Sequence, residues 1–242
     1  MGSDEREPER DWATWREARL RTVTAPHGIA SLTATHWLSP DPQSLDGLDG
    51  RWWLDGAAIV GDSFTLDEGG EALVGSRLLR HMRRDDQVAL RVLDPEAPSR
   101  ASVAGIAAYP YDSAWVLEGR FEAAADGATI DSLEIDGYVE TEQLAGEVVV
   151  TIGGVEARLT ATGSAERMHV VFSDATSGGE SYRFRFLTLR VLPGPGDRVE
   201  VDLNRAFLPP CAFADFYVCP LPPPSNRLAV PVRAGERVVE RR

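Results

Sequence analysis

EVVVTIGGVEARLTA, residues 147–161, carries the strongest structural signal in this chain. Its second half alternates apolar and polar side chains, with Val155, Ala157 and Leu159 set against Glu156, Arg158 and Thr160. Alternation of this kind is typical of a half-buried β-strand. The two glycines at 153 and 154 fit a two-residue turn whose twist matches that of paired antiparallel strands. The segment therefore predicts a β-hairpin with arms 147–152 and 155–161.

Similar short runs recur from residue 51 onward, separated by Gly and Asp turns. They follow one another at roughly 8–14 residues with no helical pattern between them, which indicates antiparallel sheet. We therefore predict a mainly β fold, an antiparallel sandwich or partly closed barrel, as a single domain over residues 11–242. The other predicted strands are 52–54, 63–66, 75–82, 87–93, 114–123, 132–140, 167–172, 181–192 and 198–203.

The two ends of the chain depart from this pattern. Residues 1–10 are charged and predict a flexible tail, after which Asp11 can cap a short helix to about Val23. In this helix we expect Trp12 and Trp15 to anchor it and the arginines at 16 and 19 to face outward. Residues 26–50 are rich in turn formers and predict a structured loop. Residues 206–226 are rich in proline and predict a long loop that covers one end of the sheet.

Composition excludes several functions. The chain has 242 residues and a net charge of -13, which disfavours nucleic acid and anionic membrane surfaces as partners. It contains no lysine, so lysine Schiff bases and the P-loop lysine are excluded. Its acidic N-terminus is not followed by an apolar segment, and no run is long enough to cross a membrane. With only two cysteines, these features predict a cytoplasmic protein with reduced thiols.

The second half of the chain contains an ordered series of motifs that resembles a known family. The motifs are Asp174-Ala-Thr-Ser-Gly178, Tyr182 with Arg183 and Arg185, Asp202-Leu-Asn204-Arg205-Ala206, Pro210-Cys211-Ala212, Cys219-Pro220, Asn226-Arg-Leu228 and Ala234-Gly235-Glu236. Together with Ser31-Leu32, His36-Trp37-Leu38 and Asp94-Pro95, they resemble the domain of unknown function 1684 family of bacterial and archaeal proteins over about residues 12–238. The resemblance implies one domain and confers no activity. Where members of that family read Tyr-Asn-Pro, this chain has Phe207-Leu208-Pro209, so it lacks that phenol and amide.

Polar residues that could form a site gather in the same region. Arg183 and Arg185 are two apart on a predicted strand, so both guanidinium groups should point to one face and could clamp an anion. Asp202 and Asn204 have the same spacing on the next strand, followed by Arg205. If strands 181–192 and 198–203 pair across Pro193–Asp197, these groups could share a pocket beneath the proline-rich loop. The competing interpretation gives them structural roles, as outward ion pairs or as partners for loop backbone.

We therefore predict a small-molecule enzyme that performs cofactor-independent acid–base chemistry on a small anionic metabolite. Its catalytic residues would be Asp202, Asp174 and His36, and its ligand-binding residues Arg183, Arg185, Asn204, Arg205 and Cys211. A non-catalytic binding protein for a small anionic ligand is the alternative. A third hypothesis is a scaffold that forms a homodimer through exposed aromatic side chains.

Metal and thiol chemistry are open at this point. Cys211 and Cys219 are eight residues apart, unlike the paired cysteines of structural zinc sites, and only four histidines are available. We therefore predict no metal and no cofactor. Packing thiols, metal ligands and reactive thiols remain alternative interpretations of the two cysteines.

Overall fold

The computed structural model describes residues 6–192 and 197–242. The fold is mainly β with an N-terminal helix, as predicted. The described chain divides into two compact units. Unit 1 comprises residues 6–19, 104–192, 197–212 and 218–241, and unit 2 comprises residues 20–103, 213–217 and 242. The prediction of a single domain over 11–242 stays a prediction, because compactness does not show whether the units fold separately.

The helices and strands follow one another along the whole described chain, with helix α1 at its N-terminal end. The elements are α1 (Arg6–Thr24), β1 (Leu32–Trp37), β2 (Gln43–Leu45), β3 (Leu48–Asp55), β4 (Ala58–Gly61), β5 (Thr65–Leu66), β6 (Glu71–Val74), β7 (Arg77–Arg84), β8 (Gln87–Leu93), α2 (Pro98–Ser102), β9 (Val103–Ala108), β10 (Val116–Ala123), β11 (Thr129–Leu133), β12 (Val139–Ile152), β13 (Val155–Ser164), β14 (Arg167–Phe172), β15 (Arg185–Leu189), β16 (Arg198–Asp202) and β17 (Glu236–Arg241).

The principal sheet of unit 1 has the strand order β15-β14-β13-β12-β10-β16, and β11 pairs with the outer part of β12. The sheet curls into a half-barrel. All six strands of this order place apolar side chains in one core, which includes Phe121, Val148, Leu159, Val170 and Leu187. Because a single core is shared by both edge strands, the sheet must curve back on itself, in agreement with the predicted partly closed barrel.

The predicted hairpin lies at the centre of this sheet. Its arms pair in antiparallel register from Glu147↔Thr160 to Ile152↔Val155. Gly153 and Gly154 have φ angles of 58° and 81°, the left-handed values that a two-residue turn of this type requires at both positions. The alternation predicted from the sequence is observed from residue 156 onward, because Ala157 and Leu159 are buried while Glu156 and Arg158 are exposed. Val155, the first residue after the turn, is exposed, so its predicted place on the buried face is wrong.

The two edge strands of the half-barrel meet at one end. Val191 and Val199 form an antiparallel bridge, and the N–H of Leu192 donates a hydrogen bond to the carbonyl of Arg198 at 2.8 Å. This is the pairing across Pro193–Asp197 on which the predicted shared pocket depends. Residues 193–196 of that predicted connection lie outside the described residues.

Helix α1 contacts unit 1 through one face. It begins at Arg6 rather than at Asp11, so residues 6–10 of the predicted tail are helical, while residues 1–5 lie outside the described residues. Trp12 donates from Nε1 to the carbonyl of Asn204 at 2.9 Å, and Arg16 donates to the carbonyl of Ile106 at 2.8 Å. Trp12 is buried, as expected for an anchor.

Arg19 lies on this same face, so the prediction that Arg16 and Arg19 face outward is wrong. Arg19 donates to the carbonyl of Leu208 at 2.7 Å, and its Nε lies 3.4 Å from Glu236 Oε1. Positions 12, 16 and 19 share one side of a helix, so the arginines extend along the buried side with the tryptophan. Their guanidinium groups use backbone carbonyls and a carboxylate as partners there.

Glu236 gives unit 1 a pH dependence. Its Oε2 accepts the N–H of Leu208 at 2.7 Å, and burial raises the pKa of this carboxyl group despite the nearby Arg19. The folded chain therefore binds the Glu236 proton more tightly than the unfolded chain does. The contribution of Glu236 to stability is largest below about pH 4.3, the ordinary pKa of Glu, and falls as the pH rises through the folded-state pKa.

We expect Glu236→Gln to remove this dependence. The free energy of unfolding of the variant, minus that of the unaltered chain, should increase as the pH rises from 4 to 8, because only the unaltered chain must ionise the buried group. Urea unfolding at a series of pH values measures this difference, in which the other carboxylates cancel. A difference that is constant across the range would contradict the assignment.

Unit 2 contains two four-stranded antiparallel sheets, with orders β1-β8-β7-β6 and β2-β3-β4-β5. Apolar side chains from both sheets form one core, as in a sandwich. The core includes Trp52 and Ile59 from one sheet and Leu79 and Leu90 from the other. A Cβ at Gly61 would lie 2.9 Å from the Trp52 ring, so the residue opposite this tryptophan must be small.

The prediction of a loop over residues 26–50 is wrong in its central part. Strand β1 pairs with β8 from Leu32↔Leu93 to Trp37↔Ala89, and β2 follows at Gln43–Leu45. The prolines at 26, 40 and 42 flank β1 and lie outside it. Turn formers on both sides of this six-residue strand concealed it.

The predicted proline-rich loop is not confirmed as one uninterrupted element. Short 3₁₀ turns at Pro210–Ala212 and Pro224–Asn226 divide the segment, and Phe213–Tyr217 belongs to unit 2. Among the helices of the described residues, none combines the length and apolar character needed to cross a membrane.

Candidate functional site

The structure places the predicted site residues in separate groups, and one of these groups lines an open groove. Strand β16 ends at Asp202, which caps the 3₁₀ turn Leu203–Arg205. Asp202 Oδ1 accepts the Asn204 N–H at 3.0 Å and the Asn204 Nδ2 at 2.9 Å, while Oδ2 accepts Arg205 Nε at 3.2 Å. One carboxylate therefore fixes the orientation of both polar neighbours.

Asn204 has a structural role. It is 1% exposed, and its side-chain amide bonds to the N–H and the carbonyl of Asp112 at 3.1 and 3.0 Å. Its own carbonyl accepts the hydrogen bond from Trp12. All of these groups are satisfied within the protein, so the predicted ligand-binding role of Asn204 has no support from its contacts.

The groove forms because the two edges of the half-barrel have unequal lengths between their junctions. Strand β15 bridges to Phe207 through Phe186, and the chain after β15 bridges to Val199 through Val191. Five residue steps separate the two junctions on the β15 side and eight on the β16 side. The turn Leu203–Arg205 takes up the three additional residues, so the edges separate between the junctions.

This opening, which we call the seam groove, has a volume of about 420 Å³. Formally it contains three acidic and two basic side chains. The lining residues are Glu166, Thr188, Leu189, Arg190, Leu192, Glu200, Asp202 and Arg205. The proline-rich segment contributes none of the lining residues, so this groove lacks the predicted cover.

The two arginines of the seam groove differ in how they are held. Arg205 is bonded through Nε to Asp202, and its guanidinium carbon lies 5.8 Å from the centre of the Trp15 ring. Within the described residues its Nη atoms form no hydrogen bond, so one edge of the fork is available. Arg190 is exposed and has no ion-pair partner in the described part of the chain.

A phenol lies beside the seam groove. Tyr111 packs against Trp12 with ring centres 5.8 Å apart. Burial raises the pKa of Tyr111, and the negative charges of Asp202 and Glu200 raise it further. The phenol is therefore protonated at neutral pH and can donate a hydrogen bond.

Asp174 and Arg185 form a separate pair inside the protein. Asp174 Oδ2 accepts Arg185 Nη2 at 2.7 Å, and both side chains are fully buried. Asp174 Oδ1 also accepts the N–H groups of Thr176 and Val232 at 2.8 and 3.0 Å. Arg185 donates to the carbonyls of Val232 and Ala234. Enclosure on all sides gives these two residues a structural role and leaves no approach for a ligand.

The predicted alignment of Arg183 with Arg185 is wrong. Strand β15 begins only at Arg185, and a bend at Arg183 interrupts the alternation. Arg183 is therefore exposed, and it donates to the hydroxyl of Tyr182 at 3.4 Å. Tyr182 in turn donates to the carbonyl of Cys211 at 3.3 Å. Arg183 and Cys211 thus share a third location, away from Arg185.

His36 lies in unit 2, on β1 opposite Leu90. All lining residues of the seam groove belong to unit 1, so His36 is not part of it. Burial lowers the pKa of His36, although a hydrogen bond to the backbone of Asp46 opposes this effect. The acid–base role predicted for this residue stays a prediction.

A second groove lies on the outer face of β13 and β14. It has a volume of about 210 Å³ and is lined by Thr160, Thr162, His169 and Val171 together with residues 221–224. The proline-rich segment therefore covers the side of the half-barrel rather than the seam. In the residues the structure describes, no three His, Cys, Asp or Glu side chains form a group suited to a metal ion.

The comparisons with known proteins assign the family. The model of the family described as protein of unknown function (DUF1684) matches residues 101–237. This chain belongs to that family. The match covers the half-barrel strands of unit 1, the seam groove and both cysteines. Several motifs of the DUF1684 resemblance are buried structural groups here, namely Asp174, Asn204 and Asn226.

Among solved structures, the chain is similar to an uncharacterized protein of Haloarcula marismortui determined by solution NMR. The two are 30% identical, the match covers 55% of this chain and 76% of that one, and the TM-score is 0.46. None of the curated proteins matches this chain.

Six lining residues of the seam groove were not predicted from the sequence, and a sequence signal exists for three of them, Thr188, Arg190 and Glu200. On β16 the valines at 199 and 201 point inward, so Glu200 and Asp202 share the outer face. After β15 begins, Leu187 and Leu189 point inward, so Thr188 and Arg190 face outward. The alternation on both strands thus predicts which polar residues lie on the outer faces. It does not predict that Glu166 lines the groove.

Proposed function

We propose that this chain binds a small anionic metabolite in the seam groove, with Arg205 and Arg190 holding its carboxylate or phosphate group. The observation that carries the proposal is the orientation of Arg205. Asp202 binds only Nε of this side chain, which leaves the Nη edge for a ligand. A guanidinium edge of this kind matches the two oxygens of a carboxylate.

The acidic residues of the seam groove narrow the ligand class. Asp202 is neutralised by Arg205, but Glu166 and Glu200 are exposed and form no ion pair with an arginine within the described residues. A purely anionic ligand would be repelled by these two carboxylates. A ligand that also carries an ammonium group would gain from them. We therefore favour an anionic metabolite that contains both carboxylate and ammonium groups.

Acid–base catalysis by Asp202 remains a prediction with less support than binding. Asp202 accepts three hydrogen bonds from Asn204 and Arg205, so most of the acceptor positions of its carboxylate are already occupied within the protein. For the same reason, the contacts of Asp202 fit a positioning role for Arg205.

Calorimetric titration with L-glutamate and with glutarate tests the binding proposal. The two probes have the same carboxylate spacing and differ in the ammonium group. We expect Arg205→Ala to weaken glutamate binding about 10- to 100-fold, since a charged hydrogen bond contributes about 1.5–3 kcal/mol. Glutarate should bind more weakly than glutamate.

Arg198→Ala is the matched control, because Arg198 lies on β16, shortly before Arg205 in the chain, and pairs with Glu118 outside the seam groove. Its affinity for glutamate should equal that of the unaltered chain. If Arg205→Ala and Arg190→Ala bound glutamate as tightly as the unaltered chain does, the proposed site would be refuted. Equal affinity for L-glutamate and glutarate would refute the role of Glu166 and Glu200 in binding the ammonium group.

A further inference from the structure

The two cysteines lie together in unit 1, away from the residues that line the seam groove. Cys211 belongs to the 3₁₀ turn Pro210–Ala212 and is partly exposed. Cys219 is 2% exposed, and its carbonyl accepts the N–H of Ile135 at 3.0 Å. Both thiols are free, and the two side chains lie near enough to interact with each other. A partly exposed cysteine therefore has a buried cysteine as its neighbour.

Two further groups surround the Cys211 sulfur. Tyr182 Oη lies 3.8 Å from Cys211 Sγ and 3.3 Å from the Cys211 carbonyl oxygen. Arg183 Nη2 donates to that hydroxyl, and the guanidinium carbon lies 5.5 Å from the centre of the Tyr182 ring. The arrangement thus directs a hydroxyl toward the sulfur and places a positive charge behind the hydroxyl.

We propose that Cys211 and Cys219 are a redox site, in which Cys211 reduces hydroperoxides and Cys219 then closes an intrachain disulfide. The Cys211 thiolate attacks the peroxide oxygen, and the O–O bond breaks to release an alcohol or water and leave a sulfenic acid on Cys211. Cys219 attacks that sulfur, the S–O bond breaks, and water leaves. The peroxide is reduced by two electrons, which the two thiols supply.

The electrostatics support this division of roles. The hydrogen bond from Cys219 lowers the pKa of Cys211, with help from Tyr182 and the charge of Arg183, although burial opposes it. The same hydrogen bond raises the pKa of Cys219, and burial raises it further. Thiolates are the nucleophilic form of cysteine, so Cys211 should react first. Its oxidation removes the thiolate that stabilises the Cys219 proton, which frees Cys219 for the second step.

The test exposes the full reduced chain to hydrogen peroxide and follows the thiols by alkylation and mass spectrometry. We expect one intrachain link between the peptides that contain Cys211 and Cys219. In Cys219→Ala, Cys211 should accumulate as a sulfenic acid that dimedone traps. In Cys211→Ser, the remaining thiol should be oxidised at least about tenfold more slowly.

Tyr182→Phe keeps the ring and both cysteines, so it tests the site without removing a thiol. We expect disulfide formation to be several-fold slower in this variant while circular dichroism is unchanged. The proposal is overturned if Cys219 is oxidised first, if the disulfides join separate chains, or if the folded chain forms no disulfide. An unaltered rate in Tyr182→Phe would refute the role of the hydroxyl in activating Cys211.

Discussion

Replacing Asp174 with asparagine should lower the free energy of unfolding of unit 1 by about 3–5 kcal/mol, the range seen when one partner of a buried ion pair is removed. Arg185 would keep its charge with no carboxylate beside it. The carbonyls of Val232 and Ala234 would remain as partners, but they bring no negative charge. The loss should be large because both side chains are fully buried, so water cannot screen the charge.

Chemical denaturation followed by circular dichroism and tryptophan fluorescence measures this loss. The control is Glu118→Gln, which breaks the pair between Glu118 and Arg198, whose side chains are 69% and 58% exposed. That variant should lose less than about 1 kcal/mol. If Asp174→Asn lost no more than the control, the pair could not be a structural element, and a role in ligand binding would have to be reconsidered.

Replacing Asn226 with leucine should destabilise unit 1 by about 3 kcal/mol or more. The backbone pairing of β13 and β14 runs from Ser164↔Arg167 to Thr162↔His169. At the next position along the two strands, where Thr160 lies opposite Val171, the Asn226 side chain takes the place of direct hydrogen bonds between the strands. It accepts from the Thr160 N–H at 2.8 Å and donates to the carbonyls of Thr160 and Val171, both at 2.9 Å.

Leucine has the same branched skeleton of side-chain heavy atoms but would leave these three backbone groups without partners, at about 1–3 kcal/mol for each buried group. Denaturant unfolding measures the effect, with Ser225→Ala as the control. The exposed Ser225 hydroxyl bonds to the side chains of Thr160 at 2.7 Å and Asn226 at 3.1 Å, but its removal leaves the three bonds between Asn226 and the strands in place. The control should change stability by about 0.5 kcal/mol or less. Equal losses in the two variants would show that Asn226 does not join the strands.

The fold was predictable wherever one side of a strand is buried. Alternation identified the hairpin at 147–161, and strand β14 has the predicted bounds of 167–172. Alternation did not identify β1, where a short strand lies between turn formers. It could not give the division into two units either, because the short segment Phe213–Tyr217 belongs to unit 2 while its sequence neighbours belong to unit 1.

The site was only partly predictable from the sequence, since the sequence gives residue types and spacing but not enclosure. Asp202 and Arg205 were identified, and they line the seam groove together. Asp174 and Arg185 have the same chemistry, but they are enclosed on all sides. The bend at Arg183 places this residue apart from Arg185. The bend depends on tertiary packing, which the alternation of side chains along a strand does not predict.

Ligand binding in the seam groove is tested most directly by the Nε–H resonances of the arginine side chains in a ¹⁵N-labelled chain titrated with L-glutamate. We predict that the resonances of Arg205 and Arg190 shift with a common dissociation constant, while those of Arg198 and Arg158 stay unchanged. Shifts confined to other arginines, such as Arg227 beside the second groove on β13 and β14, would contradict the proposed site. The absence of any shift at saturating glutamate would also contradict it.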